Sequence, residues 1–383
     1  MGANPWVLDT ALWRSYRGAG IGMNIVKATR RFEKWLGQHT VLVKPDLRLK
    51  HQHMAESPFP FLRATFYRWM QVWPEVCPEL AKAPRVLAVG DLHVENFGTW
   101  RDIEGRLVWG VNDFDEAAVL PYTVDLVRIA VSAMLAIDEG HLTLKMKDAC
   151  EAIQDGYRES LLERGRPLVM EEENKWLLEL VTGELRDPVH FWQKMDRLPK
   201  VKGEIPASAR KALAYLMPER GLTYQIARRV AGLGSLGHAR WVALAEYRGG
   251  RVAREAKALV PSSVYWARKE KGSAEIMYQT IISRAVRCPD PFVQLRGRWI
   301  LRRLSPHCSR IELSVLPVHR DEIRLFFAMG WETANIHLGS RDARKNVRRH
   351  LDRLKAGWLC AAAKAMAKAV IGDWQAWKKS GPA

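Results

Sequence analysis

Apolar positions along this chain keep two rhythms, one helical and one strand-like, and they change over at a few well-marked places. From Ile21 to Leu36 the apolar residues Met23, Val26, Phe32 and Leu36 suit one helix with a basic outer face. Ser57-Pro58-Phe59-Pro60 then breaks the pattern and predicts an extended entry into the aromatic run Phe61–Met70, which reads as a helix packed into a core. Two short apolar runs, Val86–Val89 and Leu107–Val111, predict strands, and the Arg101–Arg106 connection with Gly105 reads as a hairpin turn that makes them neighbours. Val124–Ala136 is apolar nearly all round and predicts a buried helix, with Asp125 near its start placed to cap it or to brace the loop beside it.

Residues 140–225 follow a helical pattern interrupted by Pro188, Pro199 and Pro206. From Tyr224 the character changes. Arg229-Val230-Ala231, a glycine loop at Gly232–Gly237, Ala239–Tyr247, the turn Arg248-Gly249-Gly250 and Arg251–Val260 read as strand, loop, strand, turn, strand. A helix over Ala274–Val286 ends before Pro289, strands recur at Trp299–Leu304 and Ile311–Leu316, and the chain is helical again from Glu322.

Each of the first two strand runs leads into a dense polar cluster, Gly90–Gly98 and Asn112–Glu116. Polar clusters at strand ends are where sites tend to sit. A hard divalent cation such as magnesium needs oxygen ligands and is completed by waters and substrate phosphates. Asp113, with Asn96 as a neutral second ligand, supplies such oxygens. Asp91 stands five residues before Asn96, far enough round the loop to accept or orient a hydroxyl proton.

Gly-Asp-x-His-x-x-Asn followed by Asn-Asp-Phe-Asp resembles the catalytic loop and metal-binding segment of aminoglycoside and choline kinases, in the protein-kinase-like superfamily. Gly90–Gly98, Asn112–Ala117 and Phe61-Leu62-Arg63 together resemble more closely the bacterial domain of unknown function DUF2252. The resemblance implies Asp91 as catalytic base, Asn96 and Asp113 as metal ligands, Asp115 as a second ligand and Asp125 as a brace for the catalytic loop. His93 and Glu95 are left to loop geometry or substrate contacts, and His337 matches a family position without an assigned role.

Gly232-x-Gly234-x-x-Gly237 lets backbone amides approach phosphate oxygens, with Ser235 inside the cradle. A dinucleotide fingerprint would open a helix, whereas Ala239–Tyr247 turns back as a strand, the arrangement of a kinase phosphate loop. The returning strand carries two basic candidates for the phosphates, Arg254 and Lys257, whose odd spacing points them to opposite faces. Lys257 is favoured as a point-charge contact, with Glu275 as its ion-pair partner.

In an ordinary kinase the glycine loop comes first, and here it follows the catalytic loop. A circular permutation reconciles the order. The expected fold is therefore α+β, two-lobed and protein-kinase-like, with a small antiparallel β lobe and a larger helical lobe. Residues 1–224 hold the catalytic loop and metal segment, 225–317 form the nucleotide-covering β lobe, and 318–383 complete the helical lobe.

Composition narrows the choice of class. Apolar content of 48% and sixteen Trp among 383 residues exclude a disordered chain, and no apolar run approaches a membrane span. The first residues lack a basic flank followed by an apolar core, so no secretory signal is expected and the expected location is the cytoplasm. Five dispersed cysteines read as reduced thiols, and His51 and His53 as solvated histidines in a polar loop rather than metal ligands. The net charge of +18 favours an acidic or phosphorylated acceptor. The expected activity is ATP- and magnesium-dependent phosphoryl transfer to an unknown acceptor. The alternatives are a kinase-like nucleotide-binding protein without transfer, an AMP-transferring enzyme, and a basic nucleic-acid-associated metal-dependent protein.

Overall fold

The computed structural model describes residues 23–171, 173–181, 187–269, 275–308 and 321–381, and shows a mixed α+β chain with small sheets. The first helices are α1 (Ile25–Leu36), α2 (Lys44–Glu56), α3 (Pro58–Ala64) and α4 (Phe66–Val76). Strands β1 (Arg85–Ala88), β2 (Phe97–Arg101), β3 (Leu107–Val111) and β4 (Ala118–Pro121) follow, then α5 (Thr123–Asp138), α6 (Met146–Glu163) and β5 (Leu168–Val169). Helices α7 (Lys175–Val181), α8 (Pro188–Asp196) and α9 (Ala207–Leu216) lead to β6 (Gln225–Arg228), β7 (Arg240–Tyr247) and β8 (Gly250–Ala258). Then come α10 (Ser263–Arg268), α11 (Tyr278–Arg284), β9 (Gln294–Arg296), β10 (Trp299–Leu304), α12 (Glu322–His337), α13 (Arg344–Leu351) and α14 (Trp358–Lys379).

Three local readings need correction. The turn at 102–106 joins β2 to β3, whereas β1 pairs with β4, so the two strands that lead into the polar clusters are not neighbours. Strand β2 was hidden because its first residues belong to the polar motif. Residues 44–56 form a helix rather than a polar loop, with Pro45 in its first turn where a missing N–H costs nothing. On that helix His51 bonds Glu33 at 2.5 Å and His53 bonds Glu56. The break at Ser57 is a single extended residue, and Pro58 already begins α3. The predicted strand Ile311–Leu316 and the first residue of the predicted helix Ala274–Val286 lie outside the described residues, and α11 covers the helix's later part.

The main core is built round α5, whose residues from Thr123 to Ala133 are all buried, as its nearly continuous apolar run requires. Helices α6 and α12 approach closely enough that a Cβ on Gly156 or Gly330 would run into the facing backbone. Those two mid-helix glycines exist for that crossing, which outweighs their poor helix propensity. Strands β6–β10 form one antiparallel sheet in the order β6-β7-β8-β10-β9. One of its faces packs Ala243, Ala256, Ala258 and Leu301 against Ala209, Leu213 and Leu216 of α9. Strand alternation then commits the other face to Arg240, Glu255, Lys257 and Arg302, which are cross-strand partners across β7, β8 and β10. No described helix is long and apolar enough to cross a membrane.

Candidate active site

The loop after β1 is held from below by side chains of buried helices. Asp125 accepts hydrogen bonds from the backbone N–H of Val89 at 2.7 Å and of Gly90 at 2.9 Å. Asp125 is itself bonded to His337 Nε2 at 3.0 Å, and His337 Nδ1 to the Tyr157 hydroxyl at 2.9 Å. Ser132 accepts from the N–H of Val94. Gly90 has φ +84°, and a Cβ there would stand 2.5 Å from the Glu116 carbonyl oxygen, so the turn admits only glycine.

Asn96 ties the two polar segments into one unit. Its amide donates to the carbonyls of Asp91 and Asp113, and its Oδ1 accepts from the N–H of Asp113 at 3.0 Å. The backbone N–H of Asn112 completes the clamp on the Asn96 carbonyl. Glu116, at the segment's end, accepts from the Ser262 hydroxyl and the Ser263 N–H, which fixes the chain where it leaves the sheet.

Charge is strongly organised across this unit. Oδ1 of Asp91 receives Arg128 Nε at 2.9 Å and also its Nη2. Oδ2 faces the glycine loop, 3.3 Å from where a Cβ of Gly234 would lie. Arg128 is fully buried, with its guanidinium over the Phe66 and Trp69 rings and Nη2 donating to the Leu62 carbonyl. Burial raises the Asp91 carboxyl above its ordinary value, and Arg128 opposes that shift. Lys257 lies 3.2 Å from Asp113 Oδ2, forms an ion pair with Asp115, and is almost fully buried. Burial acts to raise Asp113, but Lys257 and Arg302 outweigh it and hold that carboxyl well below the usual range. Burial and the charge of Asp113 push Asp115 up to about 7. The two carboxylates thus behave as a pair that keeps a proton because only one of them can ionise comfortably.

The glycine loop closes the cleft from the opposite side. Gly232 and Gly237 have φ of +77° and +99°, and Gly234 stands over the Arg63 carbonyl and Asp91. Helix α2 grips this loop. Lys50 Nζ donates to the Gly234 carbonyl at 3.0 Å, Val43 N–H donates to the Gly237 carbonyl at 2.9 Å, Leu47 covers Gly237, and Asp46 pairs with Arg228. Ser235 accepts from Arg240 Nη2 at 2.7 Å, and Arg240 also reaches the buried Glu255. The cleft between the two loops is open to solvent at its mouth.

Asp91, His93, Asn96, Asp113, Asp115, Gly232, Gly234 and Ser235 all line this cleft, and Lys257 reaches into it through Asp113 and Asp115. Gly237 sits behind it against Leu47, and Asp125 beneath it. Two candidates are elsewhere. Arg254 points to the α9 face of the sheet, where it donates to the Leu216 carbonyl and stacks on Phe292. Glu275 is exposed, and Lys257 pairs with Asp113 and Asp115 in its stead. Sequence reasoning missed Lys50, Arg128 and Arg302. Arg128 left a signal, a charge inside an otherwise apolar helix. Lys50 left none, because its partner is 184 residues away.

Among the described residues no group of three or more His, Cys, Asp or Glu is arranged to hold a metal ion. Asp113 and Asp115 nevertheless suit magnesium, which takes one or two carboxylates with phosphates and waters. The two carboxyls are crowded, since the charge of Asp113 raises Asp115, and a divalent cation between them would relieve that crowding. The Asn96 Oδ1 already accepts from Asp113, so Asn96 serves first as the clamp between the segments.

The family described as an uncharacterized protein conserved in bacteria (DUF2252) matches residues 42–190. That stretch carries Lys50, Arg63, Asp91, Asn96, Asp113, Asp125 and Arg128, and stops before the glycine loop. No curated protein and no solved structure matches the chain.

Proposed function

We propose that this protein is an ATP- and magnesium-dependent phosphotransferase with a permuted, protein-kinase-like arrangement. The observation that carries the reading is that two segments some 140 residues apart face each other across one cleft. The glycine loop stands over Asp91, while Lys257 on the third strand of the sheet meets Asp113 and Asp115. Kinases place a glycine-rich loop over the nucleotide phosphates, a lysine on the third strand beside them, and an aspartate with an asparagine at the metal.

In this reading the residues divide the work. The free Oδ2 of Asp91 orients the acceptor hydroxyl and takes its proton, while Arg128 on Oδ1 fixes the carboxylate's direction. Asp113 and Asp115 hold magnesium, with Asn96 keeping their segment in register. Magnesium bound there supplies neutralising charge to the phosphoryl oxygens. Lys257 and Arg302 present positive charge from the sheet to the same oxygens, and the glycine loop at 232–237 lines the cleft opposite them.

The test is a thermal shift of the full chain with ATP, with and without magnesium. ATP at about 100 times its dissociation constant adds about 2.7 kcal/mol of stability. A magnesium-dependent rise in Tm is expected, and the absence of a shift with any nucleoside triphosphate sinks the proposal.

A further inference from the structure

The cleft beside Asp91 contains several cations, and their partners differ. Lys257 has Asp113 and Asp115, Arg128 has Asp91, Arg63 has Glu95 at 2.5 Å, and Arg240 has Glu255. Lys50 is 5% exposed and lines the cleft, yet its one polar contact among the described residues is the Gly234 carbonyl at 3.0 Å. An ammonium can donate three hydrogen bonds, so two are left without an acceptor among the described residues. Glu33, Glu116 and Asp91 act on it only at longer range. A buried cation without a counter-charge is costly, and an anion arriving beside it offsets that cost. Burial accordingly lowers the affinity of this amine for its proton.

Shape adds a second constraint. Helix α2 is seated on the glycine loop through Val43, Leu47 and Lys50, and Asp46 ties the same helix to β6. This part of the cleft is therefore walled by helices rather than open along a groove. Apolar side chains of Phe32, Leu36, Phe66, Val260 and Pro261 line the same cleft, together with the polar Glu116 and His238.

We propose that Lys50 and this apolar wall seat the phosphoryl acceptor, a small molecule that carries an anionic group, phosphate or carboxylate, next to the hydroxyl presented to Asp91. The identification of the ligand as the acceptor rests on the phosphotransferase reading. The anion site itself rests on Lys50 and the cleft.

The test uses the full chain with saturating magnesium and ADP to occupy the nucleotide site, and titrates inorganic phosphate and glycerol 3-phosphate against glycerol. Glycerol 3-phosphate is expected to bind and glycerol is not. Lys50→Gln keeps a donor for the Gly234 carbonyl and removes the charge, so it should weaken binding of both anions about tenfold or more while ADP affinity stays within about twofold. Lys50→Arg keeps the charge and should retain binding within about threefold. The proposal is overturned if neither anion binds the wild type, if Lys50→Gln leaves their affinity unchanged, or if it weakens ADP as much as the anions, since Lys50 would then read the nucleotide. Lys50-dependent anion binding in a protein that binds no nucleotide would leave an anion site and overturn its role as acceptor seat, which separates the two failures. Should Lys50→Gln not fold, acetylation of Lys50 in the wild type decides the matter by mass spectrometry: glycerol 3-phosphate must slow it, and an unchanged rate overturns the proposal.

Discussion

Two loops meet across the cleft, and they are held in place by different means. The loop at 90–96 rests on Asp125, His337, Tyr157 and Ser132, side chains of α5, α6 and α12 that are all buried. The glycine loop at 232–237 is held by α2, through the half-buried Leu47, Lys50 and one backbone bond, by Arg240 on the Ser235 hydroxyl, and by its seat over the Arg63 carbonyl of α3. Opening the first loop strands the fully buried Asp125, Tyr157 and Ser132, whereas Lys50, Ser235 and Arg240 at the second loop are slightly more exposed. The acidic side of the cleft is therefore the fixed reference, and the glycine-loop side is expected to have the lower local stability.

The largest effect separates chemistry from cover. Asp91→Ala is expected to reduce turnover about 10²–10⁴-fold, the range for losing a positioned general base, while ATP affinity changes little. Steady-state rates and a calorimetric titration check this, and full activity in the variant removes Asp91 from the mechanism.

Next in size is the foundation of the same loop. Asp125→Ala leaves the N–H groups of Val89 and Gly90 and one nitrogen of His337 without their acceptor. Each of the three orphaned buried groups costs about 1–3 kcal/mol, so a loss of at least about 3 kcal/mol is expected in chemical denaturation. A loss near zero would mean that this loop is no better anchored than the other, and the contrast drawn above would fail.

How much of this was legible in the sequence follows from the same contrast. The fixed loop and its partner segment announced themselves because their acids, amides and strand lead-ins lie within short windows. Asp125 was visible as a charge near the start of an apolar helix, and Arg128, one turn further on, carried the same signal. The strand–loop–strand pattern after Tyr224 was legible from its glycines, although its first strand lies at Gln225–Arg228 and not at 229–231, and strand alternation put Arg254 and Lys257 on opposite faces. What faces what across the cleft was not legible. Helix α2 has a weak apolar pattern, and the groups it meets, the glycine loop and the C-terminal helix, lie far away in the chain. Strand β2 was concealed by the polar motif it begins in, and Arg302 enters only through the register of β10 on β8.

A smaller effect comes from the carboxylate pair. The Asp115 carboxyl is raised from 3.8 to about 7 in the folded protein, by burial first and by Asp113 second. The unfolded chain releases this proton near 3.8 and the folded chain holds it to about 7, so between those values the folded state binds more protons. The group's contribution to stability is complete below the lower value and is lost as pH rises through the upper one. The stability of the wild type minus that of Asp115→Asn should therefore decline across this window and then level off, as read from urea midpoints. A flat difference would show that Asp115 ionises normally and that the pair is not crowded. Magnesium with ATP should weaken the same slope by offsetting the charge of Asp113.

The smallest effect probes the second loop directly. Leu47 is half-buried and covers Gly237, where a Cβ would stand 2.5 Å from the leucine side chain. Leu47→Ala removes that cover without touching a charge or a backbone bond, and a half-buried leucine contributes about 1 kcal/mol. If the glycine loop opens as a local unit, this energy appears as about fivefold faster hydrogen exchange at 232–238, with exchange at 89–96 unchanged. Equal acceleration at both loops would show that they open together. In that event the low stability of the glycine side would belong to the whole cleft, and α2 would be a part of the core rather than a clasp on one loop.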